Sequence, residues 1–337
     1  MTTPAPACPS CGATVSPADR FCGSCGAVLS EIRQVTVPRA GRAPQGPCED
    51  CGNTTFTDGY CTACGHRRAE PNRDEAELGG IVVVTDRGLH HVRNEDAAAV
   101  GIVAGGADRP GLIAIAVCDG VSSSEKPEAA AVAASNAGVT VMLAALAAAR
   151  PAKAAVLAGL ADAAKAAAAA GAGLDKASAP SCTYTAAAVV PSSAGTVEIT
   201  VGNVGDSRAY WLPDPPAPAQ QLTVDDSLAQ ELITAGVAAD SAAVQNGAHT
   251  ITRWLGADAD PKPWSDSSVY TITASGPGSL LLCSDGLWNY LPDADDIRQF
   301  CAGTDATAAA RALVDFALQA GGQDNITVVV IPIGGPL

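Results

Sequence analysis

The stretch that decides the fold reads "LLLCSDGLWNYL" and occupies residues 280–291. An apolar run stops abruptly at Asp285, and Gly286 follows. A buried strand that ends on a carboxylate, with a glycine to turn the chain at once, delivers that carboxylate to the end of a sheet. The same device occurs in "IAIAVCDGVSSS" (113–124), which ends on Asp119 and Gly120. It occurs again in "VEITVGNVGDSRAY" (197–210), which brings up Asp206. One such run is a turn; three are strands aiming carboxylates at a common point.

Working outward, "IVVVTDRG", "DAAAVGIVAG" and "GLIAIAVCDG" are strands punctuated by Gly and Asp. An alanine-rich block from Pro127 to about Gly171 predicts two helices, broken at Arg150-Pro151. Three strands follow over 181–213, then a proline-dense loop, a helix within 223–237, two strands ending at Asp285, two helices and a closing strand, "DNITVVVIPI". Strands in runs and helices in pairs predict an α+β protein, with antiparallel sheets and helices layered outside them.

Three more acidic residues stand at strand ends: Glu95 and Asp96 in "RNEDAAAV", and Asp324 in "GGQDNITVVV". Carboxylates gathered in a largely apolar sheet repel one another, and a divalent cation relieves that cost. Oxygen-only donors favour hard ions such as Mg²⁺ or Mn²⁺.

The bulk composition narrows the classes. The chain has 337 residues, 47% apolar but only 4% aromatic, so its core is built from small aliphatic groups. A net charge of −15 makes nucleic acid a poor partner. The start, "MTTPAPACPSCG", has no apolar run of a secretory signal, and "AAAVAASNAGVTVMLAALAAA" (129–149) reads as a buried helix rather than a membrane span. A cytoplasmic protein is expected.

Eight of the 12 cysteines form four CxxC pairs, each followed by glycine: Cys8 and Cys11, Cys22 and Cys25, Cys48 and Cys51, Cys61 and Cys64. A two-residue gap points both thiolates at one ion, and two pairs make a closed tetrahedral zinc site. Sequential pairing predicts two structural zincs: one on Cys8, Cys11, Cys22 and Cys25, the other on Cys48, Cys51, Cys61 and Cys64. The domain plan is ribbon 1 (1–30), a linker (31–47), ribbon 2 (48–66), a linker (67–78) that carries Arg67, Arg68 and Arg73, and one large domain (79–337). Cys118, Cys182, Cys283 and Cys301 lack a phosphate-cradling loop and read as buried apolar residues.

The segments "RNEDA", "CDG", "VGDSRAY", "CSDGLW" and "QDNIT" resemble, in order and rough spacing, the motifs of the metal-dependent, type 2C serine/threonine protein phosphatases. The resemblance covers about 79–332. It implies a four-layer α-β-β-α sandwich and two or three Mn²⁺ or Mg²⁺ ions in a cleft at its edge. Asp119 would bridge two ions, with the Gly120 carbonyl on one of them. Asp285 and Asp324 would complete the first shell, and Glu95 or Asp96 would serve the second, partly through water. Asp206 would help hold a third, and Asn325 would support the shell. A metal-bridged hydroxide would then hydrolyse phosphoserine and phosphothreonine in the protein substrates of serine/threonine kinases. The ribbons would recruit a protein partner or regulate the site.

Two features depart from the family. The position that usually carries a phosphate-gripping arginine is His91, with Arg93 two residues on. Read as a strand, this segment turns both residues to one face, so either can contact phosphate. The glycine-rich continuation after "DG" is replaced by Ser122, Ser123 and Ser124, and residues 246–263 match the flap beside the cleft. These departures leave open a catalytically weak or inactive phosphatase-like module that binds phosphoproteins. A zinc-ribbon nucleic-acid factor is disfavoured by the charge.

Overall fold

The computed structural model describes residues 8, 11–15, 21–27, 31–39, 47–48, 50–57, 60–66, 72–104, 111–192 and 195–334. The N-terminal part holds β1 (Glu31–Val37), β2 (Phe56–Thr57), β3 (Tyr60–Cys61) and β4 (Arg73–Leu78). Then come β5 (Ile81–Asp86), β6 (Ala97–Ala104), β7 (Leu112–Cys118), α1 (Pro127–Ala147) and α2 (Ala152–Ala170). The middle holds β8 (Ser181–Cys182), β9 (Tyr184–Pro191), β10 (Thr196–Val204), β11 (Arg208–Pro213) and β12 (Gln220–Gln221). Two short helices, α3 (Leu228–Thr234) and α4 (Ala242–Gly247), and β13 (Leu255–Gly256) precede β14 (Val269–Ser275) and β15 (Gly278–Cys283). The chain closes with α5 (Asp285–Trp288), α6 (Ala294–Cys301), α7 (Ala306–Ala320) and β16 (Ile326–Ile333).

Two six-stranded sheets face each other, in the orders β1-β6-β7-β9-β10-β14 and β12-β11-β15-β16-β5-β4. Every ladder in them is antiparallel. The expected four layers are present. Along β6 and β7, Ala97, Ala99, Ala114 and Ala116 face α1 and α2, while Ala98, Val100, Ile113 and Ile115 face the second sheet. This is the period-2 alternation of a strand buried on both sides. Alanine on the helix side lets α1 sit close. The segment read as a buried helix is α1, which has the length and apolarity of a membrane span. It buries Ala130, Ala134, Val139 and Met142 in the cluster it shares with the first sheet and α2. On the other side, Leu313 and Val314 of α7 pack with Val328 and Val330 of β16.

Two segments expected as linkers contain strands. Within 31–47, β1 pairs with β6 from Glu31↔Ala104 to Val37↔Ala98. Within 67–78, β4 makes a hairpin with β5 from Arg73↔Asp86 to Leu78↔Ile81. "RDEAEL" is poor strand material by propensity. An edge strand with one side in solvent tolerates such charges, and Gly79 and Gly80, at φ +61° and +83°, supply the tight turn. Residues 40–46 and 67–71 of those linkers, Arg67 and Arg68 among them, lie outside the described residues.

Candidate active site

The register brings one end of every central strand together. In the first sheet Ala97 opposes Cys118, and Val117 opposes Thr185. In the second, Ile326 opposes Asp86, and Cys283 opposes both Val328 and Arg208. Asp96, Asp119, Asp206, Asp285 and Asp324 each lie within two residues of one of these strand ends.

Backbone and side-chain bonds fix each group. The Asp119 N–H donates to Thr183 Oγ1 at 2.9 Å, and its carbonyl accepts from the Thr183 N–H at 2.8 Å. Gly120 bridges to Cys182. Asp96 is fully buried, and its Oδ2 accepts from Ser284 Oγ at 2.7 Å and Thr327 Oγ1 at 2.6 Å. Glu95 Oε2 accepts from Ser122 Oγ at 2.7 Å. Asp324 Oδ1 accepts from the Asn325 N–H at 2.7 Å. Asn325 itself holds the preceding loop rather than a carboxylate. Its Oδ1 accepts from the Glu95 N–H at 2.7 Å, and its Nδ2 donates to the Arg87 and Arg93 carbonyls.

The carboxyl groups feel one another. Burial first, then Asp96, Asp285, Asp324 and Asp206 in turn, push Asp119 well above the usual carboxylate range. Burial raises Asp96 to about 7 against the hydrogen bonds of Thr327 and Ser284, with Asp324 and Asp285 adding to the rise. Burial and then Asp285 raise Asp206 to about 8. Asp285 is raised by burial and then Asp324, against the Asn289 amide, which donates to its Oδ2 at 3.2 Å. Among the described residues, the buried oxygens Asp96 Oδ1 and Asp285 Oδ1 have no hydrogen-bond partner. A set of buried oxygen donors with orphaned acceptors fits a hard divalent cation.

His91 and Arg93 do not share a strand face as expected: residues 87–96 are an irregular loop between β5 and β6. Strand parity does not apply there. His91 Nε2 lies 3.2 Å from Asp324 Oδ1. Arg93, half exposed, approaches Glu95 at 3.5 Å and Glu128 at 3.4 Å.

Sequence reading passed over several neighbours. Ser284 and Thr327 hold Asp96, and Ser122, noted above only as a departure from the family, holds Glu95. Trp288 Nε1 donates to the Asp206 carbonyl at 2.9 Å, and the Arg208 guanidinium lies 3.7 Å from a Trp288 ring centroid. His249 stacks on Trp288 at 6.2 Å and 9°. A cavity of about 350 Å³ opens between Val121, Ser123 and Ser124 on one side and His249, Trp254 and Asp258 of the expected flap on the other. The "DG" and flap motifs flagged this region; the individual partners follow only from the packing.

Comparison with known proteins gives the family. The crystal structure of the PPM Ser-Thr phosphatase MsPP from Mycobacterium smegmatis, in complex with cacodylate, is 30% identical to this chain. It covers 77% of this chain and 100% of its own, with a TM-score of 0.56. The chain belongs to the PPM Ser-Thr phosphatase family. A second PPM-fold likeness is Stp1 from Staphylococcus aureus, at 23% identity and a TM-score of 0.58, over 77% of this chain and 96% of that one. The serine/threonine phosphatase stp of Listeria innocua is 33% identical over 135 residues, 40% of this chain. This PPM chain spans about half of that relative's length, 51%.

Ahead of the PPM domain, a zinc-ribbon domain model matches residues 8–29. The structure draws Cys8, Cys11, Cys22 and Cys25 into one set and Cys48, Cys51, Cys61 and Cys64 into another, with donor atoms all within 4.8 Å. Among the described residues no carboxylate trio is drawn that tightly. Sulfur separations of 3.7 and 3.6 Å in the first set and 3.6 and 3.5 Å in the second are close to the edge, about 3.8 Å, of a tetrahedron with zinc–sulfur bonds of about 2.3 Å. Gly12, Gly26, Gly52 and Gly65, at φ +71° to +73°, let each knuckle close with a glycine N–H on the carbonyl of the first cysteine. The N–H groups of Ser24 and Cys25 pull the Cys22 thiol down to about 6. Burial raises Cys61, but the Asn53 amide and the N–H groups of Cys64 and Ala63 outweigh it and bring this thiol to about 6. These donor sets fit zinc. Cys118, Cys182, Cys283 and Cys301 are buried in the large domain.

Proposed function

We propose that this chain is a protein-serine/threonine phosphatase that hydrolyses phosphoserine and phosphothreonine in substrates of serine/threonine kinases. The observation that carries the reading is the buried carboxylate group at the joined strand ends, with Asp96 Oδ1 and Asp285 Oδ1 unpartnered among the described residues. Asp119, Asp285 and Asp324 would hold one Mn²⁺ or Mg²⁺, Asp119 with Glu95 or Asp96 a second, and Asp206 a third. Bound there, such ions lower the pKa of water to about 7 and offset charge on the phosphoryl group.

The chain's own residues do the rest. Thr183 fixes the Asp119 backbone, so its carboxylate is aimed without a conformational search. Ser122 orients Glu95. Arg93, with its guanidinium half exposed beside Glu95 and Glu128, supplies the cationic contact to the substrate phosphate. The cavity beside the flap receives the polypeptide that carries the phosphate. Water adds to phosphorus, the serine or threonine oxygen leaves with a proton, and inorganic phosphate is released. The two zincs are structural, and the ribbons serve recruitment or regulation. Paired reduced thiols suit the cytoplasm.

A second reading, a weak or inactive phosphoprotein-binding module, is favoured by one contact: His91 is turned to Asp324 rather than left free for phosphate. Mn²⁺-dependent hydrolysis of p-nitrophenyl phosphate and of a phosphothreonine peptide, abolished in Asp285→Ala, separates the two. Phosphopeptide binding without turnover would overturn the enzyme reading.

A further inference from the structure

The two ribbons are joined to opposite ends of the sandwich. Glu31, which follows ribbon 1, pairs with Ala104 at the end remote from the carboxylates. Ribbon 2 lies between Val37 and Arg73, which pair with Ala98 and Asp86 at the carboxylate end. The two stems are clamped there: the Arg39 N–H and Nε donate to Asp74 Oδ2 at 2.7 and 3.1 Å. Six peptide links separate His66 from Asn72 and reach at most about 22 Å, so ribbon 2 stays near this rim.

The exit stem continues into the site. The Arg87 N–H donates to the Asn72 carbonyl at 2.7 Å, and Arg87 Nε and Nη2 donate to Asn72 Oδ1 at 3.1 and 3.0 Å. Arg87 Nη1 donates to the His91 carbonyl, and His91 Nε2 meets Asp324. The 87–93 loop is wrapped tightly round Asp324. A Cβ on Gly88, at φ +71°, would fall 2.1 Å from the Asp324 carbonyl oxygen, and the Leu89 N–H donates to Gly322. Where Asn72 stands therefore bears on where His91 and Arg93 stand.

We infer that Asn72 and Arg87 are positioning residues through which ribbon 2 sets the 87–93 loop, and with it the phosphate-contacting edge of the site. The kinetic part rests on the phosphatase reading above; the coupling itself does not. In the full-length protein, Asn72→Ala removes the acceptor for Arg87. KM for a phosphothreonine peptide rises about tenfold with little change in kcat, because the loop positions phosphate without entering the chemistry. Amide hydrogen exchange of residues 87–93 quickens, while α1 and β7 keep their protection. Asn72→Asp keeps an acceptor and restores both values.

Cys61→Ser with Cys64→Ser, which opens ribbon 2, reproduces the faster exchange, and adding Asn72→Ala adds nothing further. Cys22→Ser, which opens ribbon 1, leaves exchange at 87–93 as in the parent. Unchanged exchange at 87–93 after opening ribbon 2, equal quickening after opening ribbon 1, or a uniform rise across the whole domain would each overturn the inference. If the parent hydrolyses nothing, the exchange arms still decide the coupling, and only the phosphatase reading falls.

Discussion

His91 Nε2 stands 3.2 Å from Asp324 Oδ1, at a position where the phosphatase motif leads one to expect an arginine facing the substrate. An imidazole bound to a carboxylate orients that carboxylate, as partners behind metal ligands do. His91→Ala weakens Mn²⁺ binding about tenfold. Arg93→Ala leaves Mn²⁺ binding alone and raises KM for a phosphopeptide. Calorimetric Mn²⁺ titration beside steady-state kinetics separates the two; equal effects on both quantities from both variants would contradict the division of labour.

Asp285 is held above the usual carboxylate range by burial and by Asp324, so its ionised form costs the fold energy when no cation is bound. Asp285→Asn removes that charge at nearly constant volume. The cation-free variant melts higher by about 2–4 °C, and phosphopeptide hydrolysis falls at least about a hundredfold. A variant that melts lower in the absence of added cation would show that the carboxylate is not destabilising there.

The same physics sets a pH dependence. Asp96 and Asp206 titrate at about 7 and about 8 in the folded chain, against about 3.9 for an unfolded aspartate. Through this window the folded chain binds protons that the unfolded chain has lost. The stability from these groups is therefore complete below about pH 4 and is lost as pH rises through the folded values. Without added divalent cation, Tm falls between pH 6 and 8.5, by about 5 °C. Saturating Mg²⁺ restores more stability at pH 8.5 than at pH 6. Scanning calorimetry over this range checks the slope, and a Tm that climbs with pH would refute it.

Arg208 and Asp225 form a largely buried pair at 2.7 Å, with the guanidinium also over Trp288. Arg208→Met leaves Asp225 unpaired and costs about 3–5 kcal/mol. Arg208→Met with Asp225→Leu recovers much of that loss. Urea unfolding of the two variants measures the difference, and a double variant no more stable than the single one would contradict the pairing argument.

Legibility in the sequence followed the strength of local pattern. The runs ending at Asp119 and Asp285 were readable because a buried strand is apolar throughout and its end is marked by Asp-Gly. The helix break at Arg150-Pro151 was readable because proline removes a donor. β4 was not: Glu75 and Glu77 do not suggest a strand, and the segment is one because β5 offers it an open edge. The facing of His91 was misjudged for a related reason. Parity along a strand is a sound rule, but residues 87–96 are a loop folded round Asp324, and no local pattern announces that.

What the chain's order of residues determined alone is whatever depends on neighbours in sequence: the two cysteine sets, whose spacing brings thiolates together within a few turns, and the apolar central strands and long helices, which follow from period and punctuation. What only the tertiary structure decided is whatever depends on register between distant strands. That register gathers Asp96, Asp119, Asp206, Asp285 and Asp324 from over 200 positions. It also places ribbon 2, and not ribbon 1, at the end where they meet. Hydrogen-bonded pairing transmits position across the sheets in a way that no window of sequence contains.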